Sequence, residues 1–401
     1  MNLISRATFV TLAATLAVGL FIAVPASTST QKRAPGHATL RSRVAPSGSD
    51  WLGEINLYRE AAGLNPVTAQ VTWGGALADH LTYIEKTPDI YLTGTYVSEN
   101  TENPSSPYFT AAGAQEGATS DVVVGVGGES DVAVIDGWLS EPFHAVGLLR
   151  ANLGQVGFAD QDGDAALDVT SGLSGNGAVT SPVLFPGSGT TTDLTTYADE
   201  APSALQTCKW SGTSAVGLPL IALLSSPPTT GLTATLTSTS GVNESSTNGS
   251  LCIVDASNFV STDSLNGPTG LSTLQNNNAV FLIPKVPLAE GSFTATIDQT
   301  GQGDISWTFN VVTLPNVTTR TLAAARVGRA YHRSLAVNGG QAPFTWSITS
   351  GALPGGVRLT PQGVLVGAPN LVGSYYVQIV ATDALGYESP VQDLVLRVNP
   401  R

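Results

Sequence analysis

The spacing of apolar residues predicts helices in the first part of the chain. Between residues 49 and 160, apolar side chains recur three or four positions apart, which is the period of an amphipathic helix. The repeats are Ile55, Tyr58 and Ala62; Leu77, Leu81 and Ile84; and Ile135, Trp138 and Leu139. Asp50 and Ser130 stand before two of these repeats and are N-cap candidates. Strand-like runs at 122–124, 155–158 and 166–170 make this a mixed α+β segment.

From about residue 200 the helical period disappears and short apolar runs alternate with Gly, Pro, Ser and Asn. The runs that predict strands are 217–224, 232–237, 279–284, 292–297 and 305–312. Strands at this spacing indicate a β-sandwich of about 100 residues. A second sandwich is expected from near Arg326 to the end, because Trp346 and Ile348, and later Tyr376, Gln378 and Val380, alternate as residues of one strand face do.

The first 48 residues have the layout of an export signal. One Arg precedes the apolar run 7–24, and Val24-Pro25-Ala26 is a small-residue cleavage context, so residues 1–26 are predicted to be a signal peptide. An uncleaved anchor is the alternative, since about 18 apolar residues can just span a bilayer. Residues 27–48 are predicted to be a flexible leader. The mature protein is then secreted, with no transmembrane segment, and released or held at the cell surface.

Composition narrows the range of partners. The 401 residues carry a formal net charge of −13, and only 12% of them are charged. Few Lys and Arg are available to neutralise phosphates, so we expect no nucleic-acid partner. The run Gly125–Gly128 has neither the Lys of a phosphate-binding loop nor its helix, so no nucleotide is expected either.

Cys208 and Cys252 are the two cysteines of the chain. In an exported protein they are expected to form a disulfide, which would stabilise the fold by about 3–4 kcal/mol in the chain-entropy model. The alternative is a catalytic thiol, but no His stands between residues 144 and 332 to activate one.

Three ordered stretches resemble the CAP (SCP, cysteine-rich secretory and pathogenesis-related) family. They are EINLYREAAGLNPVTAQVTWGGALADHLTYI, NTENPSSPYFTAAG and GWLSEPFHAVGLLRANLGQVGFA. The resemblance implies an α-β-α sandwich whose cleft is often lined by two His and two Glu that hold a divalent ion. His144 matches the cleft His that follows Trp138, and Glu141 stands where some members carry an acidic cleft residue. Glu116 roughly matches the glutamate of the family's G-E-N motif, although the Gly and the Asn of that motif are both missing here.

The resemblance is incomplete at the metal site. The family's other cleft His should fall near residues 98–100, where none exists, so His80 and Glu99 are the substitutes that we consider. A catalytic zinc needs three firm ligands and an open position. His144 is therefore interpreted either as a metal or acid/base group or as a polar residue that fixes the following loop. His80 shares a helical face with Leu77 and Leu81 and is more simply a core-edge residue.

A second candidate metal site is the acidic run Asp160, Asp162 and Asp164, followed by Asp168. Alternating carboxylates could supply several of the oxygens that calcium prefers. The run does not follow the EF-hand pattern, and between two predicted strands a hairpin turn is the simpler interpretation. Zinc and calcium are thus the two cofactors that the sequence suggests, neither with certainty.

Residues 326–398 resemble the bacterial cadherin-like Ig repeat almost throughout, and the middle domain is only loosely similar to bacterial Ig-like modules. The expected architecture is multidomain: a CAP-like α+β domain at 49–200, an Ig-like β-sandwich at 201–314 and a cadherin-like β-sandwich at 323–401. The expected function is binding of an extracellular lipid, sterol or envelope glycan, or of a cell-surface partner, without catalysis. A metal-assisted secreted peptidase and a purely adhesive or structural surface protein are the alternatives.

Overall fold

The computed structural model describes residues 50–125, 130–173, 181–210 and 215–401. The predicted signal peptide, the leader and most of the glycine run lie outside the described residues. In the part of the chain that is described, no helix has the length and apolar character needed to cross a membrane.

The first domain packs five helices around a four-stranded sheet of order β1-β3-β4-β2. Its helices are α1 (Trp51–Ala61), α2 (Val71–Lys86), α3 (Ala111–Gly117), α4 (Asp131–Ser140) and α5 (Pro142–Leu148). Two short 3₁₀ turns, Asp89–Tyr91 and Gly94–Val97, follow α2. The strands are β1 (Thr68–Ala69), β2 (Ser120–Val123), β3 (Gln155–Gln161) and β4 (Asp164–Asp168).

Local capping explains where the two outer helices begin. The Asp50 carboxylate accepts a hydrogen bond from the backbone N–H of Gly53, and the Ser130 hydroxyl accepts one from Ala133. Each bond satisfies a backbone donor that has no partner inside the helix. Both predicted N-caps are confirmed. Helix α5 starts with Pro142. Proline is tolerated there because the backbone N–H that it lacks would have no hydrogen-bond acceptor within the first turn of the helix.

The middle domain is a sandwich of a five-stranded sheet, order β11-β10-β14-β15-β6, and a four-stranded sheet, order β12-β13-β9-β5. Its strands are β5 (Val183–Phe185), β6 (Thr190–Thr192), β7 (Thr196–Tyr197), β8 (Val216–Gly217), β9 (Leu220–Leu223), β10 (Thr233–Ser238), β11 (Asn243–Ser245), β12 (Leu251–Val254), β13 (Ala279–Pro284), β14 (Gly291–Asp298) and β15 (Ile305–Val311). Two helices, α6 (Leu205–Cys208) and α7 (Gly267–Asn276), correct the expectation that helices end near residue 200. The predicted disulfide joins Cys208 to Cys252 and links α6 to β12.

The domain boundary lies earlier than residue 201. The strands at 183–185 and 190–192 are edge strands of the two sheets of the middle sandwich, paired with β9 and β15. The expected first domain, 49–200, therefore includes a segment that belongs structurally to the second. Strands of three residues are too short to show a period of two, so the sequence pattern could not assign them.

One hydrophobic core runs through the first and middle domains. The core cluster includes Trp138 and Phe143 from the helices together with Phe281 and Phe293 from the sandwich. The Phe143 ring lies edge-on to Phe281, with ring centroids 5.2 Å apart, and 5.4 Å from the ring of Phe259. Edge-to-face packing of this kind adds stability beyond the area buried. The two domains therefore share a core, and a smaller separate cluster that includes Leu77, Leu81 and Val122 lies within the first domain.

The C-terminal domain has a separate core and three small sheets, ordered β17-β24-β23-β20, β18-β22-β21 and β16-β19. Its strands are β16 (Asn316–Val317), β17 (Ala325–Arg326), β18 (Tyr331–Ser334), β19 (Val337–Asn338), β20 (Thr345–Gly351), β21 (Val357–Leu359), β22 (Val364–Gly367), β23 (Gly373–Thr382) and β24 (Gln392–Asn399). The first of these lies in the expected linker, so this domain begins before residue 323.

The buried face of β23 differs from the prediction. Val377 and Ile379 are buried, whereas the side chain of Tyr376 is 68% exposed. Gln378 is also exposed, and of the predicted face only Val380 is buried. On β20 the side chain of Ile348 is 37% exposed, contrary to the prediction, at the point where the register with β23 shifts. Trp346 is buried as expected and packs on Gly363, whose positive φ of 79° and contact with the indole leave no room for a Cβ.

Truncation of Phe143 should destabilise both domains that share the core. We expect Phe143→Ala to lower the free energy of unfolding by about 3–5 kcal/mol, the usual range for a buried Phe. Hydrogen exchange followed by mass spectrometry should show faster exchange in strands β9 and β13 as well as in α4. Strands of the C-terminal domain should be unchanged, and Tyr376→Ala serves as the exposed control. Faster exchange confined to the helices would contradict a shared core.

Candidate functional site

The side chain of His144 lies between two carboxylates. Its Nδ1 atom is 2.9 Å from Oε2 of Glu141 and 2.9 Å from Oε2 of Glu200. The side chains of His144 and Glu200 are completely buried, and that of Glu141 is 21% exposed. Within the described ranges, these three residues are the group of ligating atoms compact enough to hold a metal ion, all within 4.8 Å of one another.

The α4–α5 junction positions two members of this group. Glu141 joins the two helices, and His144 follows in the first turn of α5. Glu200 comes from the segment after β7 and reaches the same helix end. Its carboxylate accepts hydrogen bonds from the backbone N–H groups of Phe143, at 3.0 Å, and His144, at 3.3 Å. A carboxylate at a helix N-terminus satisfies two free backbone donors and interacts favourably with the helix dipole.

Sequence reasoning did not identify Glu200. It stands in the run Tyr197-Ala-Asp-Glu200, which has no motif that signals a ligand, and it lies outside the stretches that resemble CAP proteins. The one sequence feature that marks Glu200 is a charged residue among small and apolar ones. That feature is too weak to pair Glu200 with His144, which is 56 positions away. Only the folded arrangement of the two domains brings it to His144.

The charges around His144 set its protonation. Burial lowers the pKa of the imidazole, but the charges of Glu141 and Asp121 and the carboxylate hydrogen bonds raise it more, leaving it well above the ordinary value. The pKa of Glu200 rises to about 7, mainly through burial, although its bond to His144 acts in the opposite direction. The surrounding carboxylates thus favour the protonated form of the His144 imidazole, which acts against a role as general base.

Three further carboxyl groups lie close to this group. Glu116 of α3 hydrogen-bonds Asp168 at the end of β4, and burial together with this contact raises the pKa of Glu116 to about 7. Asp168 also accepts hydrogen bonds from the backbone N–H groups of Thr170 and Ser171. Burial raises the pKa of Asp121 on β2 to about 6, while the charges of His144 and Arg150 partly offset the shift. Two carboxyls in contact are stable together only when they share a proton.

The donor set fits a divalent cation. One imidazole nitrogen and two carboxylate oxygens are the ligands that zinc accepts, and an ion would replace the proton on Nδ1. The Nε2 atom on the other side of the ring is buried and has no hydrogen-bond partner among the described residues. Metal-bound His residues usually donate from the second nitrogen to an acceptor, so that part of a metal site is missing here.

His80 and Glu99 are not part of this group. Nδ1 of His80 contacts Oε1 of Glu102 at 2.8 Å, and Nε2 contacts the backbone oxygen of Glu99 at 2.7 Å, so both ring nitrogens are engaged. The ring packs against Gly117, where an added Cβ would lie only 2.3 Å from it. The structure thus places His80 where it ties α2 to the loop that follows, away from His144.

The structure also separates the four aspartates of the calcium hypothesis. Asp162 and Gly163 form the hairpin turn between β3 and β4 with positive φ values of 53° and 95°. The Asp164 carboxylate accepts a hydrogen bond from Gly125 N–H, Asp160 bonds Asp131, and Asp168 contacts Glu116. In the described part of the chain they do not form a group of metal ligands. The geometry therefore corresponds to the hairpin alternative.

Family models match two parts of the sequence. The model of the cysteine-rich secretory protein family, CAP, matches residues 52–171, and the model named Putative Ig domain matches residues 312–399. The chain contains a CAP domain followed by Ig-like domains. Glu116, Asp121, Glu141, His144 and Asp168 lie inside the CAP match, whereas Glu200 lies beyond it.

Solved structures with similar parts resemble the chain only locally. A Bacteroides fragilis protein described as a putative alpha-galactosidase is 27% identical over 21% of this chain and 18% of its own, with a TM-score of 0.19. The first eight Ig domains of Down Syndrome Cell Adhesion Molecule are 18% identical over 45% of this chain and 25% of theirs, with a TM-score of 0.19. The insect immune protein hemolin is 16% identical over 46% of this chain and 44% of its own, with a TM-score of 0.25.

This chain spans less than a fifth of the first of these structures and a quarter of the second. No curated protein matched the sequence. CAP and Ig-like domains are typical of extracellular proteins, and Ig-like domains suggest adhesion-type interactions.

The raised pKa of Glu116 predicts that the CAP domain is more stable in mild acid. Between pH 4.5 and about 7 the folded protein retains a proton on this carboxyl that the unfolded chain releases, so stability falls as pH rises through that window. Glu116→Gln keeps a neutral hydrogen-bond donor beside Asp168 at every pH. We expect the variant to be about 1–3 kcal/mol more stable than the original protein at pH 8 and nearly equal at pH 5.

Thermal unfolding measured from pH 5 to pH 8 checks this prediction. Glu290→Gln, which changes an exposed carboxylate before β14, should leave the pH dependence as it is. Parallel curves for Glu116→Gln and the original protein would show that the two carboxyls do not share a proton.

Proposed function

We propose that this protein is an exported, non-enzymatic CAP-domain protein that binds a lipid, a sterol or another cell-envelope ligand. The Ig-like domains act as spacer or adhesion modules. The observation that carries the proposal is an apolar loop beside the CAP helices. Ile90, Val97 and Tyr108 follow α2 within one segment, and their side chains are 74%, 56% and 39% exposed. Exposed apolar side chains concentrated in one segment are a feature of surfaces that bind apolar partners.

Hydrogen bonds from α2 hold the backbone of this loop in place. His80 bonds the backbone of Glu99 and the carboxylate of Glu102. Within the same segment, the hydroxyl of Tyr83 accepts a hydrogen bond from Asn103 N–H. A preorganised loop loses less conformational entropy when a ligand binds, which favours affinity.

The buried His144 group supports a non-catalytic role. General base catalysis needs an imidazole that is neutral near working pH and within reach of substrate. The side chain of His144 is fully buried and its Nδ1 atom contacts two carboxylates, so the imidazole is not within reach of a substrate. Its position supports a structural role in which it holds the α5 end against the middle domain.

A metal-assisted peptidase is the second candidate, because Glu141, His144 and Glu200 form a ligand set that zinc accepts. An ion held there would polarise a substrate carbonyl or a water molecule. The chain's own residues would bind the ion, and the partly exposed Glu141 would lie on the side open to solvent.

Binding of a fluorescent cholesterol analogue and of phosphatidylcholine vesicles to the full chain tests the first candidate. Replacing Ile90, Val97 and Tyr108 together by Ser should weaken binding at least about tenfold, since each buried apolar side chain contributes roughly 1.5–3 kcal/mol. Leu371, Tyr376 and Leu385, exposed in the C-terminal domain, are changed to Ser in the matched control, which should bind normally. Equal loss in both variants, or no binding by the original protein, contradicts the proposal.

A peptidase assay on casein with added zinc separates the two candidates. We expect no turnover above that of buffer. Zinc-dependent turnover that is lost in His144→Ala and kept in the triple Ser variant of the loop would favour the peptidase.

A further inference from the structure

The outer face of the five-stranded sheet in the middle domain carries uncharged polar side chains at nine neighbouring positions. Three strands contribute three residues each, and we call these nine residues the hydroxyl grid. They are Thr235, Thr237 and Thr239 on and just after β10; Ser292, Thr294 and Thr296 on β14; and Ser306, Thr308 and Asn310 on β15.

The pairing of the strands arranges the grid in three straight rows. Thr235 pairs with Thr296, which pairs with Ser306; Thr237, Thr294 and Thr308 form the second row in the same way. The third row has Ser292 opposite Asn310, with Thr239 N–H bonded to the Ser292 carbonyl. Neighbours within a row are about 5 Å apart and rows about 7 Å apart, as strand geometry requires.

Strict alternation along the strands produces this face. The residues between the grid positions, such as Leu236, Phe293 and Trp307, are buried in the core, so each grid side chain must point outward. Two rows contain internal hydrogen bonds, one between Thr296 and Ser306 at 3.0 Å and one from Ser292 to Asn310 at 2.5 Å. Within the described part of the chain, the hydroxyls of the central row make no side-chain hydrogen bond and face solvent.

The grid is concave. A groove of about 490 Å³ lies on it, lined by six of the nine grid residues together with Ser238 and Phe293. The central and third rows form its floor.

The absence of charge in the grid identifies the chemistry of its ligand. The chain carries a net charge of −13, yet none of the nine positions is Asp, Glu, Lys or Arg. Asp298 lies on the same face, opposite Thr233 and one row beyond Thr296, but it does not line the groove. The groove itself therefore has no charge to neutralise a phosphate, a carboxylate or a cation, and no aliphatic side chain lines it for a lipid. Each hydroxyl both donates and accepts a hydrogen bond, and this matches a ligand whose own polar groups are hydroxyls.

We propose that the hydroxyl grid binds a neutral polysaccharide, one chain of which lies in the groove. Sugar hydroxyls replace water on Thr237, Thr294 and Thr308, and the amide of Asn310 adds a donor and an acceptor at one end. The site belongs to the middle domain and uses different residues from the lipid-binding loop and from the His144 group. It therefore gives the middle domain a function that does not rest on the function proposed for the CAP domain.

Affinity electrophoresis of the full chain in native gels that contain soluble neutral polysaccharides tests the proposal. The probes are mannan, hydroxyethyl cellulose and a β-1,3-glucan, with hyaluronan as the acidic comparison. We expect at least one neutral polymer to retard the protein and hyaluronan not to do so. The variant Thr237→Val, Thr294→Val and Thr308→Val removes three hydroxyls and keeps side-chain volume and strand preference, and it should weaken retardation by about tenfold or more.

The matched control changes three exposed threonines of the C-terminal domain, Thr318→Val, Thr345→Val and Thr349→Val, and should be retarded like the original protein. Circular dichroism verifies that both variants fold. If the triple grid variant does not fold, single Thr→Val substitutions in the central row replace it. The proposal is overturned if no neutral polymer retards the protein, or if retardation is the same in the grid variant. A dimer in sedimentation that is lost only in the grid variant would also overturn it, because the face is then covered by a second copy.

Discussion

The contact between Glu200 and the start of α5 is the interaction on which the first two domains depend. The Glu200 carboxylate accepts hydrogen bonds from two backbone N–H groups of the helix and contacts the ring of His144. All of these groups are buried. Charges placed in a dry interior are stable only when each has a partner. Removal of Glu200 would leave two backbone N–H groups at the helix end unsatisfied and would leave His144 with Glu141 as its carboxylate partner. The interaction therefore fixes how the CAP domain meets the sandwich.

The aromatic packing around Phe143 follows from the same junction. The residue stands next to His144 in the sequence, and its ring inserts between Phe259 and Phe281 of the middle domain. Polar pairing on one side of the helix turn and apolar packing on the other define a single orientation of α5. The site and the shared core are thus two consequences of one helix turn.

The middle domain is more than a spacer in this arrangement. Its inner faces complete the core of the CAP domain, its segment after β7 supplies Glu200, and its outer face presents the hydroxyl grid. The C-terminal domain differs, because it has its own core and shares none of these residues. Two units result: a CAP–sandwich body that carries the candidate sites and an Ig-like domain that extends it.

The sequence by itself determined the order of the domains, two helix caps, the strands β9, β10, β13, β14 and β15 of the middle sandwich, and the pairing of Cys208 with Cys252. These features depend on local periodicity, capping residues and matches to family patterns, all of which can be recognised within short stretches of the sequence. Only the tertiary structure decided that Glu200 joins His144, that Glu116 lies beside Asp168, and that His80 bonds the loop instead. Partners that are 52 or 56 positions apart, such as Asp168 with Glu116 and Glu200 with His144, leave no periodic signal, because their contact is produced by the packing of whole elements.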